Sequence, residues 1–164
     1  MSLQILIVED HGDTRRILAG LLGQFGHSVS AADSVESAKA FIKAKRFDAV
    51  VSDVGLPDGT GYDVIRHAKR RQPVTGVALT AWGEPQDMDR SRKAGFDYHL
   101  TKPVDCAALR ELLDQIAGVQ SNGLISEASD ARGSVAERSG NDNSTSTQVD
   151  GNIVKLHLPE RQGR

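Results

Sequence analysis

Short runs of branched apolar residues alternate with helical apolar stripes along most of this chain, and that alternation constrains its fold more than any other feature. The first run, Leu3–Val8, is nearly continuous and ends abruptly in Glu9 and Asp10. Runs of this length and composition are typical of strands buried on both faces of a parallel sheet. Five apolar residues on one helical stripe follow this run: Ile17, Leu18, Leu21, Leu22 and Phe25. A strand followed by an amphipathic helix is therefore predicted.

This strand–helix unit occurs five times before about residue 118. The predicted strands are Leu3–Val8, His27–Ala31, Ala49–Ser52, Val74–Leu79 and Asp97–Leu100. Ser34 is a candidate N-cap, and Pro85 suits the first turn of a helix. Strict alternation implies right-handed crossovers and a parallel sheet covered by helices on both faces. The sequence thus predicts a doubly wound α/β fold whose chemistry lies beyond the carboxyl ends of the strands.

The composition changes after residue 118. Residues from Val119 to Gln148 are mostly polar, and all seven aromatic residues lie earlier, between Phe25 and Tyr98. Such a segment cannot bury enough apolar surface to offset the cost of ordering it. We expect residues 1–118 to form one domain and residues 119–164 a disordered polar tail. The stretch Asn152–Leu158 is more apolar and could be a docking segment or a strand, but its composition favours the frayed end of that tail.

Charge and cysteine content exclude several classes of protein. The net charge is −2 with both signs interspersed, which gives no general footprint for nucleic acid or an anionic membrane. Cys106 is the only cysteine, so a disulfide framework and a cysteine-rich zinc site are excluded. No apolar run approaches the roughly 18 residues that a membrane span needs. A cytoplasmic protein without direct contact to nucleic acid or membrane is predicted.

Polar residues follow four of the five predicted strands and should meet at one edge of the sheet. Glu9 and Asp10 follow the first strand, Asp53 the third, Thr80 the fourth and Lys102 the fifth. Carboxylates held close together raise one another's pKa, and a hard cation such as Mg2+ relieves their repulsion. An aspartate beside Mg2+ and a lysine is a suitable nucleophile toward phosphorus. A threonine hydroxyl there could donate to a phosphoryl oxygen.

These motifs together resemble the signature of response-regulator receiver domains, of the chemotaxis-regulator type, over about Leu3 to Gly118. The matching segments are Glu9-Asp10, Asp53 with Leu56-Pro57-Asp58-Gly59, Thr80-Ala81 and Lys102-Pro103. The segment Gly95–Pro103 is similar to receivers at the end of hybrid sensor kinases. The resemblance implies a flavodoxin-like sheet with strand order 2-1-3-4-5 and five helices.

The resemblance also implies a chemistry for each of these positions. Asp53 would take a phosphoryl group from a phosphohistidine of a histidine kinase or histidine phosphotransfer protein. Mg2+ would be held by Asp10, Asp53 and the Gly55 carbonyl, with Glu9 reaching it largely through water. The chain would then be a signalling phosphoacceptor that promotes its own phosphorylation and dephosphorylation, and not an enzyme with a separate substrate.

Further roles follow from the same resemblance. Lys102 would pair with the phosphoryl group, and its bond to Pro103 is expected to be cis. Thr80 would follow the phosphoryl group, and the small Ala81 would leave access to it. Partner contacts are expected at the rim formed by Gly55, Leu56, Ala81, Trp82 and Pro103.

The residue at the switch position departs from the family pattern. This position, three residues before the lysine, usually holds Tyr or Phe, and here it is His99. Tyr98 lies one place earlier, on the opposite side of the strand. Because burying a charged imidazole is costly, we expect His99 to couple only weakly to Thr80.

Three other classes of protein share some of these features. A dehalogenase-like phosphatase also uses an aspartyl nucleophile, but it needs a second Asp two residues later, where this chain has Gly55. A nucleotide-binding module would need a glycine-rich turn after the first strand, where Glu9 and Asp10 instead present negative charge. An interaction protein with a vestigial acidic rim stays open until phosphorylation is measured.

Overall fold

The computed structural model of the protein describes residues 1–81, 83–123 and 153–156. Strands and helices alternate through the first 123 residues, as the apolar pattern predicts. Their bounds are β1 Gln4–Val8, α1 Gly12–Gln24, β2 Ser28–Ala32, α2 Val35–Ala44, β3 Ala49–Asp53, β4 Gly55–Leu56, β5 Gly59–Thr60, α3 Gly61–Arg71, β6 Thr75–Thr80, α4 Pro85–Ala94, β7 Tyr98–Thr101, α5 Cys106–Gly123 and β8 Ile153–Lys155. None of these helices is both long enough and apolar enough to cross a membrane.

The main sheet has the strand order β2-β1-β3-β6-β7-β8. Its first five strands are parallel, and they are the five strands that the sequence predicts, because β4 and β5 form a separate two-stranded hairpin. The predicted order 2-1-3-4-5 and the doubly wound α/β class are therefore confirmed. The sixth strand, β8, lies in the stretch Asn152–Leu158, where a strand was the less favoured alternative, and it runs antiparallel to β7.

Each face of the sheet is covered by its own apolar cluster. In β1, Leu6 and Val8 face one cluster while Ile5 and Ile7 face the other, because successive side chains point to opposite faces. The first cluster joins the sheet to α2, α3 and α4, and the second joins it to α1 and α5. Strands buried on both faces explain why the sequence runs are continuous instead of alternating.

Helices α1 and α2 contain residues whose roles the sequence predicts. Ser34 caps α2 as predicted, since its side chain accepts a hydrogen bond from the Ser37 N–H. The apolar stripe of α1 is narrower than predicted: Leu18 and Leu22 are buried, but Ile17 is 67% exposed. Ile17 lies one position before Leu18, about 100° around the helix, and so faces away from the sheet.

The segment beyond residue 118 differs in two places from the sequence interpretation. Helix α5 continues to Gly123, five residues past the expected domain boundary, and Ile153–Lys155 forms a strand where a frayed end was favoured. Three ladder pairs with β7 are too few to leave a clear sequence pattern. The expected disorder of the polar tail concerns residues 124–152 and 157–164, which lie outside the described residues.

Gly61, the first residue of α3, allows this helix to begin in close contact with the backbone of Asp53. A Cβ atom at this position would lie 2.2 Å from the Asp53 carbonyl oxygen and 2.9 Å from the Ser52 hydroxyl oxygen. The Gly61 N–H donates to the Val54 carbonyl, which fixes the backbone in place. Because the nearest atom to such a Cβ belongs to the Asp53 backbone, rotating a side chain cannot relieve the clash.

Gly61→Ala should consequently lower the free energy of unfolding by about 1–3 kcal/mol, the usual cost of overpacking. The matched control is Gly20→Ala in α1, where a Cβ atom meets nothing within 4 Å. Because Gly20 lies inside a helix, that change should stabilise the protein by about 0.5–1 kcal/mol. Urea unfolding of both variants measures the difference, and equal stability of the two would contradict the packing seen at Gly61.

Candidate functional site

The polar residues predicted to meet at one sheet edge do follow strands whose ends are aligned. Val8 lies opposite Ser52, Asp53 opposite Leu79, and Thr80 opposite Thr101. Glu9 and Asp10 follow β1, and Lys102 follows β7, so all of these side chains start from the carboxyl edge of the sheet. Parallel strands make this convergence a consequence of topology.

Lys102 joins two carboxylates from different strands. Its Nζ donates to Asp53 Oδ2 at 2.8 Å and to Glu9 Oε2 at 2.9 Å. The side chain of Glu9 is only 2% exposed, that of Asp53 16% and that of Lys102 28%. An ion pair this sheltered from solvent is screened less than a surface pair, so Lys102 supplies a strong local positive charge beside Asp53.

The pKa of the Lys102 ammonium is held above its ordinary value. Partial burial alone would lower this pKa, but the hydrogen bonds and charges of Asp53 and Glu9 outweigh it. Lys102 therefore remains protonated throughout the neutral range. A raised lysine pKa adds stability that is complete below the unfolded-state pKa and is lost only as pH rises through the folded-state value. The positive charge of Lys102 is thus lost only in strongly basic solution.

Asp53 has a different hydrogen-bond partner for each carboxylate oxygen. Oδ1 accepts from the Gly55 N–H at 3.2 Å, while Oδ2 binds Lys102. The adjoining Ser52 hydroxyl donates to the Asp53 carbonyl at 2.9 Å. These contacts orient the carboxylate at the end of β3 while leaving part of it open to solvent.

An acidic group lies at the end of β1, and Lys102 links its Glu9 to Asp53. Ligand atoms of Glu9, Asp10 and His11 lie within 4.8 Å of one another. The His11 N–H donates to Glu9 Oε1 at 3.1 Å, and Arg15 Nη1 donates to the carbonyls of Glu9 and Asp10. The carboxylate oxygens offered here are the donors that a hard cation such as Mg2+ prefers. His11 was not among the predicted ligands, and its imidazole nitrogen is a poorer donor for Mg2+ than the neighbouring carboxylates.

The two predicted switch residues are both buried. Thr80 is 5% exposed, and its carbonyl accepts the Lys102 N–H at 2.7 Å, which ties the end of β6 to the lysine backbone. His99 is fully buried, despite the expected cost of enclosing an imidazole. Tyr98 packs in the cluster with Leu100, so it lies on the opposite face of β7 from His99, as predicted.

The predicted partner-contact residues differ in their exposure to solvent. Gly55, Ala81 and Pro103 are exposed, and Leu56 is half-buried. The Lys102–Pro103 bond is cis, as the resemblance implied. Trp82, also predicted for partner contact, lies outside the described residues.

Asp58 fixes the loop that carries Leu56 to a neighbouring helix. Its two carboxylate oxygens accept the N–H groups of Val35 at 2.7 Å and Glu36 at 2.9 Å. These backbone hydrogen bonds at the start of α2 hold the pKa of the Asp58 carboxyl below its ordinary value. The loop next to Asp53 is thereby anchored at one point.

A family model described as "Response regulator receiver domain" matches residues 5–114 of this chain. The matched stretch contains every one of the strand-end residues described above. The chain belongs to this family. Sequence reasoning had identified the same family from the residues at the strand ends.

Two bacterial relatives show where such receivers occur. The response regulator protein PilR of Pseudomonas aeruginosa is 40% identical over 110 residues, which is 66% of this chain and 24% of PilR. The virulence sensor protein BvgS of Bordetella pertussis is 32% identical over 123 residues, 70% of this chain and 10% of BvgS. The receiver described here thus spans a quarter or less of the length of these relatives.

Solved structures agree with the fold. A CheY-like receiver domain protein from Methanospirillum hungatei superimposes with a TM-score of 0.70 at 24% identity, covering 75% of this chain and 99% of that one. A likeness at this identity concerns the fold alone. It supports the flavodoxin-like arrangement of five parallel strands and five helices.

Proposed function

We propose that Asp53 accepts a phosphoryl group from a phosphohistidine on a histidine kinase or a histidine phosphotransfer protein. The observation that carries this proposal is the position of the Asp53 carboxylate, 2.8 Å from the Lys102 ammonium and still partly open to solvent. A nucleophile for an anionic donor must be reachable and must lie beside positive charge. Asp53 meets both conditions.

The transfer is a single displacement at phosphorus. An oxygen of the Asp53 carboxylate forms the new O–P bond while the P–N bond to the donor imidazole breaks. The electron pair of that bond returns to the imidazole nitrogen, which takes a proton from solvent. The product is an acyl phosphate on Asp53, and Lys102 can then pair with the phosphoryl oxygens because its side chain already reaches Asp53.

The residues around Asp53 suit a magnesium ion. Glu9, Asp10, Asp53 and the Gly55 carbonyl would hold it, with Glu9 acting largely through water. Bound Mg2+ would offset the negative charge of the carboxylates and of the phosphoryl group. The support is the all-oxygen character of these groups and the closeness of the Glu9 and Asp10 carboxylates.

Two buried residues are proposed to transmit the modified state. The Thr80 hydroxyl would bond a phosphoryl oxygen, and His99 on β7, the switch position, would follow that movement only weakly. The support is the backbone bond from the Lys102 N–H to the Thr80 carbonyl, which links the ends of β6 and β7 next to Asp53. Access for the donor protein would be through Gly55, Leu56, Ala81 and Pro103.

The proposed role is that of one step in a phosphorelay. PilR is named a response regulator and BvgS a sensor protein, so receivers of this family occur on both sides of such a relay. The chain would act as a phosphoacceptor that signals through its own change of state. We propose that it works in the cytoplasm, and that its output is contact with another protein and not with nucleic acid.

Wild-type protein incubated with acetyl phosphate and Mg2+ should gain the mass of one phosphoryl group. With excess chelator the gain should disappear, because the carboxylates of Glu9, Asp10 and Asp53 then repel the anionic donor. Intact-mass spectrometry measures both arms. A gain of equal size in chelator would contradict the metal site, and no gain in either arm would favour an interaction protein with a vestigial acidic rim.

A further inference from the structure

The edge of β7 carries a strand from the far end of the chain. Residues Ile153–Lys155 pair antiparallel with Leu100, His99 and Tyr98, and the Leu156 N–H donates to the Asp97 carbonyl at 2.8 Å. Among the described strands of the main sheet, β8 alone is antiparallel. Its direction sets it apart from the five parallel strands, each of which belongs to a strand–helix unit.

The side chains of this segment enter both apolar clusters. Val154 and Leu156 join the cluster that contains Ala94 and Phe96, and Leu156 is 8% exposed. Ile153 joins the cluster on the other face, and Lys155 is exposed. The edge of β7 therefore accepts an extended segment with three apolar residues and one outward polar residue.

The segment also covers the polar residue inside β7. Val154 lies directly opposite His99 in the ladder, and His99 is fully buried. Without a partner strand, the edge of β7 would present unpaired backbone groups beside this imidazole. Exposed edges of that kind pair readily with other chains.

The pairing of β8 with β7 is short, so another strand could take the place of β8. Only three ladder pairs join β8 to β7, whereas five join β1 to β2. The gain from burying three apolar side chains is offset by the entropy lost in ordering the segment. Attachment is favoured mainly because the segment belongs to the same chain, which gives it a high effective concentration at the edge.

We infer that the edge of β7 is a binding site for an extended apolar strand, and that Ile153–Leu156 is its intramolecular occupant. A partner that adds a strand to this sheet must first displace the chain's own segment. The required partner is an extended peptide with apolar residues at the positions of Val154 and Leu156, held by backbone hydrogen bonds as in other cases of strand addition. The C-terminal segment is thus a built-in competitor for that partner.

The test uses the full chain and a synthetic peptide of residues 151–159. The double variant Val154→Thr with Leu156→Asn keeps side-chain size but places polar groups in the apolar cluster. This variant should bind the peptide at least about ten-fold more tightly than the wild type, because its edge is open. Lys155→Gln, on the exposed side of the same strand, is the matched control and should behave like the wild type.

Amide hydrogen exchange supplies a second measurement on the same proteins. Exchange at His99 should rise at least about ten-fold in the double variant and fall again when the peptide is added, while β1 and β3 keep their protection. If β1 and β3 also lose protection, Val154→Thr alone becomes the deciding variant. The inference would be overturned if wild type and double variant bound the peptide equally well, or if amide exchange at His99 did not change. It would also be overturned if the wild type were a dimer that the double variant converts to a monomer.

Discussion

Asp53→Asn is expected to abolish phosphoryl uptake from acetyl phosphate completely. The amide has the shape of the carboxylate, and its oxygen can still accept the Gly55 N–H that Asp53 Oδ1 accepts at 3.2 Å. It is not a nucleophile toward phosphorus, however, and it no longer pairs with Lys102 as a charge. The variant should therefore fold while the mass gain of one phosphoryl group disappears.

The matched control for this change is Asp58→Asn. Asp58 lies five residues later, and its carboxylate holds the start of α2 through the N–H groups of Val35 and Glu36. Asp58→Asn should lower the free energy of unfolding by about 1 kcal/mol, the usual cost of a weakened helix cap, and should leave phosphoryl uptake intact. Intact mass after equal incubation compares the two variants. A phosphoryl gain that survives in Asp53→Asn would move the phosphorylation site to another residue.

The parallel sheet and its strand-end residues could be predicted because they depend on strong local signals. A strand such as Leu3–Val8 is buried on both faces and so must be apolar throughout, which makes it visible in the sequence. Topology then brings Glu9, Asp53 and Lys102 to one edge without any further information. What the sequence did not indicate is that Lys102 would bind Glu9 as well as Asp53, since both distances depend on side-chain conformation.

The features that escaped prediction are those that depend on contacts distant in sequence. Strand β8 has only three residues, and its partner β7 lies more than fifty residues earlier, so the apolar character of Asn152–Leu158 was not enough to favour a strand over a frayed end. His99 is fully buried, and its ladder neighbour Val154 comes from that same distant segment. Ile17 was misassigned for the opposite reason: its apolar character suggested burial, but its position around α1 decides its exposure.

The second large effect is expected for Lys102→Ala. The Lys102 ammonium is the positive group between Glu9 and Asp53, and without it two carboxylates share a sheltered edge. The incoming phosphoryl group then meets less positive charge in the transition state. Loss of one such preorganised group typically slows a reaction about 10²–10³-fold, and we expect the initial rate of phosphoryl uptake to fall by that amount.

Lys69→Ala is the matched control for this experiment. Lys69 also forms an ion pair, at 2.7 Å with Asp97, and its side chain is 32% exposed compared with 28% for Lys102. Asp97 precedes β7 whereas Lys102 follows it, so this pair lies at the opposite end of the strand. Removing Lys69 should change the uptake rate by less than about two-fold, because Coulomb effects at that separation are screened.

The rates of both variants are measured by intact mass over time at saturating Mg2+, with circular dichroism as the check on folding. Because the pKa of Lys102 lies above its ordinary value, its charge is constant across the neutral range, and the deficit of Lys102→Ala should be the same at each pH there. A rate for Lys102→Ala within about two-fold of wild type would remove Lys102 from the reaction. An unfolded Lys102→Ala with a folded Lys69→Ala would instead mean that the ion pair with buried Glu9 is needed for the fold itself.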